Sequence, residues 1–302
     1  MDWSDKRQAT AWIIGERAAH IEAARTAARA AGLRIADPVS IEAALAAVAR
    51  RPSDSVAIVD VGDLATPNVE ALLELLDAQA HDARMPVVVR CCRDTVDLAA
   101  ARIAAPYARL VCDGFSGDLA AALIWSQSHL GGVSERDRPI DAIRLQQLTD
   151  EVARIARALA DLSDPMSPAA VSEGIVGYRA QPGAKVSTKI TSGTIRDMLR
   201  WRRRRDQLFA GDLFADPAWD MMLDLAAARL EGVDVAVSSL CIAAAVPATT
   251  ALRWIKTLTD VGLFVRVADP NDRRRVFIAL SESTAANLLA FLSDAQAAGD
   301  LL

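Results

Sequence analysis

The chain has 302 residues, a net charge of −5 and a hydrophobic fraction of 52%. That length suits two domains with a sizeable buried core, and the composition excludes a largely disordered chain. The acidic balance excludes a protein that wraps nucleic acid along its whole length, so any such contact must come from local basic patches.

No run of 18 or more apolar residues lacks charge, and the N-terminus, Met1 to Arg7, has no apolar signal core. The expectation is a cytoplasmic protein with no membrane partner. Cys91, Cys92, Cys112 and Cys241 show neither metal-ligand spacing nor a secreted disulfide pattern, which fits a reducing compartment.

Residues 1–130 alternate short apolar runs with Ala-rich helical stretches. The runs are Ala11–Ile14, Leu33–Ala36, Val56–Val59, Pro86–Val89 and Arg109–Cys112. The stretches between and after them are Ala18–Ala30, Ile41–Ala49, Val69–Ala78, Thr95–Ile103 and Asp118–Ser126. Strands of about five residues alternating with helices predict a parallel sheet covered on both faces. Five such units predict an α/β, flavodoxin-like and receiver-like doubly wound domain.

A phosphorylated receiver needs clustered acids for Mg²⁺, an aspartate acceptor, a hydroxyl and a lysine, because the phosphoryl charge must be neutralised. Asp60 stands where the acceptor belongs. After strand one stand Gly15-Glu16-Arg17, after strand four Arg90-Cys91-Cys92, and after strand five Asp113-Gly114 with no lysine. The domain reads as a degenerate receiver, an input or docking module for a signalling partner protein. Asp60 reads as a structural strand-end aspartate, with phosphoacceptance the alternative. The cysteines near the strand ends read as small buried apolar residues, with a thiol sensor as the alternative.

Residues 131–195 read as a linker. Within it, a helix over about 140–163 carries Leu145, Leu148, Val152, Ile155, Leu159 and Leu162 at alternating steps of three and four, the a/d pattern of a short coiled coil that pairs two chains. Pro165, Pro168, Gly174, Gly177, Pro182 and Gly183 then break the pattern into an irregular loop.

Residues 196–302 form the second domain. The run Arg202–Arg205 is either a phosphate-binding surface or a solvated helix face. Asp216-Pro217 caps and starts a helix over Ala218–Leu230, which Gly232 ends. Ser238 or Ser239 caps a short helix, Leu240–Ala244, and Val246-Pro247 turns into a second, Ala248–Asp260. Its buried face is Ala251, Leu252, Ile255 and Leu258, leaving Thr249, Thr250, Arg253, Lys256 and Thr257 outside. That is the arrangement of a helix that reads the major groove, where arginine binds guanine bidentately and threonine meets phosphate or a thymine methyl. Leu263–Ala268 and Val276–Leu280 read as two strands joined by Asp269-Pro270-Asn271-Asp272 and Arg273-Arg274-Arg275, a hairpin with a basic tip. A last helix covers Thr284–Ala297.

From Leu240 to Arg266 and through Asp269–Arg274 the sequence resembles the MarR family of winged-helix transcriptional regulators. The Asp-x-x-Asp-Arg-Arg signature of the family's wing stands here in full. The resemblance covers about residues 216–298 and implies an α+β winged helix-turn-helix that binds double-stranded DNA; with the coiled coil pairing two chains into a homodimer, two-fold symmetry would demand a near-palindromic site. It implies that Asp269 and Asp272 support the wing and that Arg273 or Arg274 reaches DNA. His20, His81 and His129 are scattered, and no nucleophile–base pair or metal constellation is visible, so no catalysis, cofactor or metal is expected. The reading is a DNA-binding regulator; the alternative is an adaptor whose winged helix docks a partner protein.

Overall fold

The structure is a computed structural model that describes residues 9–48, 55–63, 65–81, 85–112, 116–130, 190–209 and 214–298. The heptad positions from Leu145 to Leu162 lie outside them, as do Asp113 and Gly114.

Five parallel strands form one sheet in the order β2-β1-β3-β4-β5: β1 Thr10–Ile14, β2 Arg34–Ile35, β3 Ser55–Gly62, β4 Val87–Cys91 and β5 Ala108–Cys112. The helices between and after them are α1 Ala18–Ala30, α2 Ile41–Ala47, α3 Pro67–His81, α4 Val96–Arg102 and α5 Ser116–Ser128. Every residue of β3 is buried, because helices cover both faces and neighbouring strands cover both edges. Alternation along the strands sends Trp12, Ile14, Val59 and Val89 toward α2, α3 and α4. Ile13, Ile58, Val88 and Val111 go toward α1 and α5. The second strand is shorter than the sequence suggests, two residues rather than four, with an isolated bridge from Ile14 to Val39 extending that edge.

The β3–β4 register shifts between Asp60 and Gly62. Gly62 takes φ +55 there, a left-handed conformation that glycine adopts without a Cβ clash. The bulge sets Gly62 beside the Arg17 side chain of the β1–α1 loop.

The second unit contains α6 Ser192–Leu208, α7 Pro217–Glu231, β6 Val235–Ala236, α8 Val237–Ala243, α9 Ala248–Asp260, β7 Phe264–Ala268, β8 Val276–Leu280 and α10 Glu282–Ala298. Its sheet is antiparallel, in the order β6-β8-β7. Asp216 caps α7 by accepting from Trp219 N at 3.2 Å, Pro217 takes the first helical turn, and Gly232 closes the helix at φ +69. Leu240, Leu252, Leu258, Phe264 and Ile278 are all buried in its core. Among the described residues no single helix is long and apolar enough to cross a membrane.

Candidate nucleic-acid interface

Helix α9 divides as its periodicity requires. Ala251, Leu252, Trp254, Ile255 and Leu258 are buried. The opposite, polar face does not stand free. It lies against β5, and α8 lies against α4. One apolar cluster runs through Ala105, Ala108 and Cys112 of the first unit to Ala251, Leu252 and Ile255 of the second.

The polar contacts across this seam are specific. Thr249 is only 4% exposed. Its Oγ1 accepts from Cys112 N at 3.2 Å and donates to Cys112 O at 2.9 Å. A side-chain hydroxyl thus serves the edge of β5, which among the described residues pairs with no further strand. Lys256 Nζ donates to Ala105 O at 3.2 Å and approaches Asp260 at 3.4 Å. Burial pushes its pKa down, with Asp260 opposing the shift. Arg266 Nη1 donates to Ile103 O at 3.2 Å. Both cations therefore sit at the C-terminal end of α4, where carbonyls lack helical partners and the dipole is negative.

Arg253 is partly buried, with Nη2 3.4 Å from Thr250 Oγ1. It borders Arg109, whose guanidinium lies 3.7 Å from the centroid of the Trp125 ring. Burial is the largest cause that pushes Arg109 down to about 10; Asp260 raises it and Arg253 lowers it further. Thr250 and Thr257 are partly buried.

The N-terminus of α8 corrects one expectation. The helix starts at Val237, earlier than Leu240, and no side chain of its own caps it. Asp97 of α4 does so instead: Oδ1 accepts from Ser238 N at 2.9 Å and Oδ2 from Ser238 Oγ at 2.6 Å. The cap comes from 141 residues away in sequence, which no local pattern could reveal.

At the β7–β8 hairpin, Asp269 Oδ1 accepts from Asn271 N at 2.8 Å and Asp272 N at 3.2 Å, which fixes the turn. Asp272 Oδ1 accepts from the main-chain N–H of Arg274 at 2.9 Å. Arg273, Arg274 and Arg275 are exposed. Arg274 Nε pairs with Glu70 of α3 at 2.7 Å, and Arg275 lies 5.5 Å from the centroid of Phe277.

The basic run on α6 is divided: Arg204 is exposed, as a solvated helix face would be, while Arg202 and Arg203 turn inward. Arg202 and Arg203 bind the buried Asp220 at 2.5 and 2.8 Å, and Arg203 also donates to Ala243 O. Arg196 pairs with Asp224 and Glu231. Two arginines of the run hold helices together; Arg204 lies 5.8 Å from the centroid of the exposed Trp201.

At the end of β3, Asp60 is 8% exposed and both its carboxylate oxygens have cationic or imidazole partners. Oδ2 is 2.7 Å from His20 Nδ1 and Oδ1 accepts from Arg90 Nη1 at 3.1 Å. Glu16, which an Mg²⁺ site would need nearby, instead accepts from Ile41 N at 2.9 Å and starts α2. Asp60 therefore works as a bridge from β3 to α1 and β4. Among the described residues no group of three or more His, Cys, Asp or Glu is arranged to hold a metal ion.

Cys91, Cys112 and Cys241 are buried and Cys92 is partly exposed. Burial pushes the Cys241 thiol up from 9.0 to about 12. Native protein at pH 8 is expected to give one fast thiol in a colorimetric titration, Cys92, and four in denaturant. Equal rates for Cys241 and Cys92 would contradict this burial. The raised value also has a sign: the unfolded thiol loses its proton near 9.0 while the folded one keeps it, so Cys241 lowers stability as pH rises from 9.0 toward about 12.

No family model, curated protein or solved structure matches the chain.

Proposed function

We propose that residues 217–298 are a winged helix that binds duplex DNA and that the chain is a transcriptional regulator. The observation that carries the reading is the union of a helix pair bent by 109°, α8 and α9, with the exposed Arg273–Arg275 hairpin tip. Helix-turn-helix pairs meet at this kind of angle and enter the major groove with the second helix. Ala245, at φ +50, makes the turn between them. On this reading α9 reads bases and the hairpin is a wing on phosphates. The strand order of the first unit, with its Asp60 bridge, suits a flavodoxin-like pseudo-receiver that takes input from a protein partner. The heptad segment, outside the described residues, would pair two chains on two half-sites of a near-palindrome.

The test is selection of bound duplexes from a random pool, followed by a salt titration. A regulator releases counterions, so affinity should fall steeply with salt. A flat response, or no duplex recovered, would sink the reading. Arg273→Ala is expected to weaken all sequences alike, whereas Arg253→Ala should also flatten base preference, each by about 1–3 kcal/mol. Arg273 is the cleaner wing probe, because Arg274 also pairs with Glu70. Sequence-blind losses from both variants would remove Arg253 from base reading.

One observation favours the adaptor reading. The polar face of α9 already engages protein, through Thr249 and Lys256. An adaptor would bind a partner protein through the same face and would show no counterion-release slope on DNA.

A further inference from the structure

We propose that the α4–β5 edge of the first unit is an internal competitor of duplex DNA, holding the polar face of α9 and the hairpin with protein oxygens in place of phosphate and base acceptors. The proposal rests on the DNA-binding reading above. The donors engaged are those a duplex would use. Lys256 takes Ala105 O and Arg266 takes Ile103 O, both at the end of α4. Beside that edge Arg274 forms an ion pair with Glu70 of α3, a carboxylate that also holds Arg102 of α4. Thr249 takes the backbone of Cys112.

Mutual exclusion follows from space. The major groove is about 12 Å wide and admits one helix, with no room for a sheet edge beside it. Thr249, near the N-terminus of α9, is 4% exposed under β5. The helix cannot enter a groove by that face until the two units part. Asp97, gripping Ser238 through both its carboxylate oxygens, clamps α8 in the same closed position.

The seam is also built to open. Its first-unit side carries four small side chains, Ala100, Ala104, Ala105 and Ala108, beside Ile103 and Leu110. A cavity of about 60 Å³ remains between the units, and the cations Arg109 and Arg253 both line it. Shallow packing and like charge limit how strongly closure is held, so a duplex or an input signal has a modest gap to overcome.

The experiment uses the full chain and a random pool of duplexes of about 40 base pairs, enough for two half-sites. Amide exchange at Cys112, whose N–H bonds Thr249, reports opening. Saturating duplex is expected to speed exchange at Cys112 in the wild-type chain. Asp97→Ala is expected to speed it without DNA and to tighten apparent affinity about tenfold, because the binding-competent fraction rises. Glu70→Gln, an isosteric change on α3, should move both in the same direction by less. It carries the comparison if Asp97→Ala loses its cooperative melt. Duplex bound with Cys112 still protected, or variants that open yet bind no tighter, would overturn the competitor and leave DNA binding standing. Variants that open yet bind no duplex at all would overturn the DNA reading and the competitor together.

Discussion

Asp220→Ala is expected to destabilise the second unit by about 3–5 kcal/mol, the cost of leaving buried charge without its partner. Asp220 is 2% exposed, in the first turn of α7, where the helix dipole favours an anion. Its two oxygens bind Arg202 and Arg203 of α6 at 2.5 and 2.8 Å. Arg203 reaches on to Ala243 O at the end of α8. One carboxylate thus ties three helices. Without it two guanidinium groups remain, with side chains only 21% and 30% exposed. Arg202 Nη2 is already buried without a hydrogen-bond partner, so it has no alternative acceptor at hand. Urea unfolding should show the loss as a lower midpoint. Arg202→Ala should cost clearly less, since Arg203 still neutralises Asp220. A loss below about 1 kcal/mol for Asp220→Ala would place the triad with surface ion pairs.

The triad also shows where sequence reading stops. The arginine run was visible, but its partner lies 18 residues from Arg202, and only the folded α6–α7 pair brings them together. The elements with strong periodicity were legible: the core strands of the parallel sheet, α7 with Asp216, Pro217 and Gly232 at its ends, and α9 with its buried Leu252, Ile255 and Leu258. The two-residue β6 was not, because two residues carry no period. The position of Asp60 near the end of β3 was legible from the apolar run before it. That His20 and Arg90 would take its two oxygens depends on α1 and β4 packing beside β3. For α9, helical spacing told which residues are polar but not what lies on them. A polar face reads the same whether it meets water, DNA or the edge of another sheet.

Thr249→Val is the second large expected effect, and it falls on that hidden contact. Valine keeps the shape of threonine and removes its hydroxyl. The Cys112 N–H and C=O then lose the hydroxyl they share, and each buried hydrogen bond broken on one side costs about 1–3 kcal/mol. The sum is tempered by water reaching the end of β5 once the seam loosens, which gives about 2–4 kcal/mol against the closed arrangement. The loss should be local. Trp254 and Leu258 are buried on the face of α9 turned away from Thr249, so α9 keeps its helix while its polar face separates from β5. Amide exchange should accordingly rise at Cys112 and stay slow at Leu258, which is 2% exposed on the opposite face of α9. If both sites instead speed together, the two units unfold as one, and the seam is part of a single core rather than a joint. If neither changes, the hydroxyl contributes nothing to closure, and the apolar contacts of Ala105 and Ala108 alone hold α9 against the sheet.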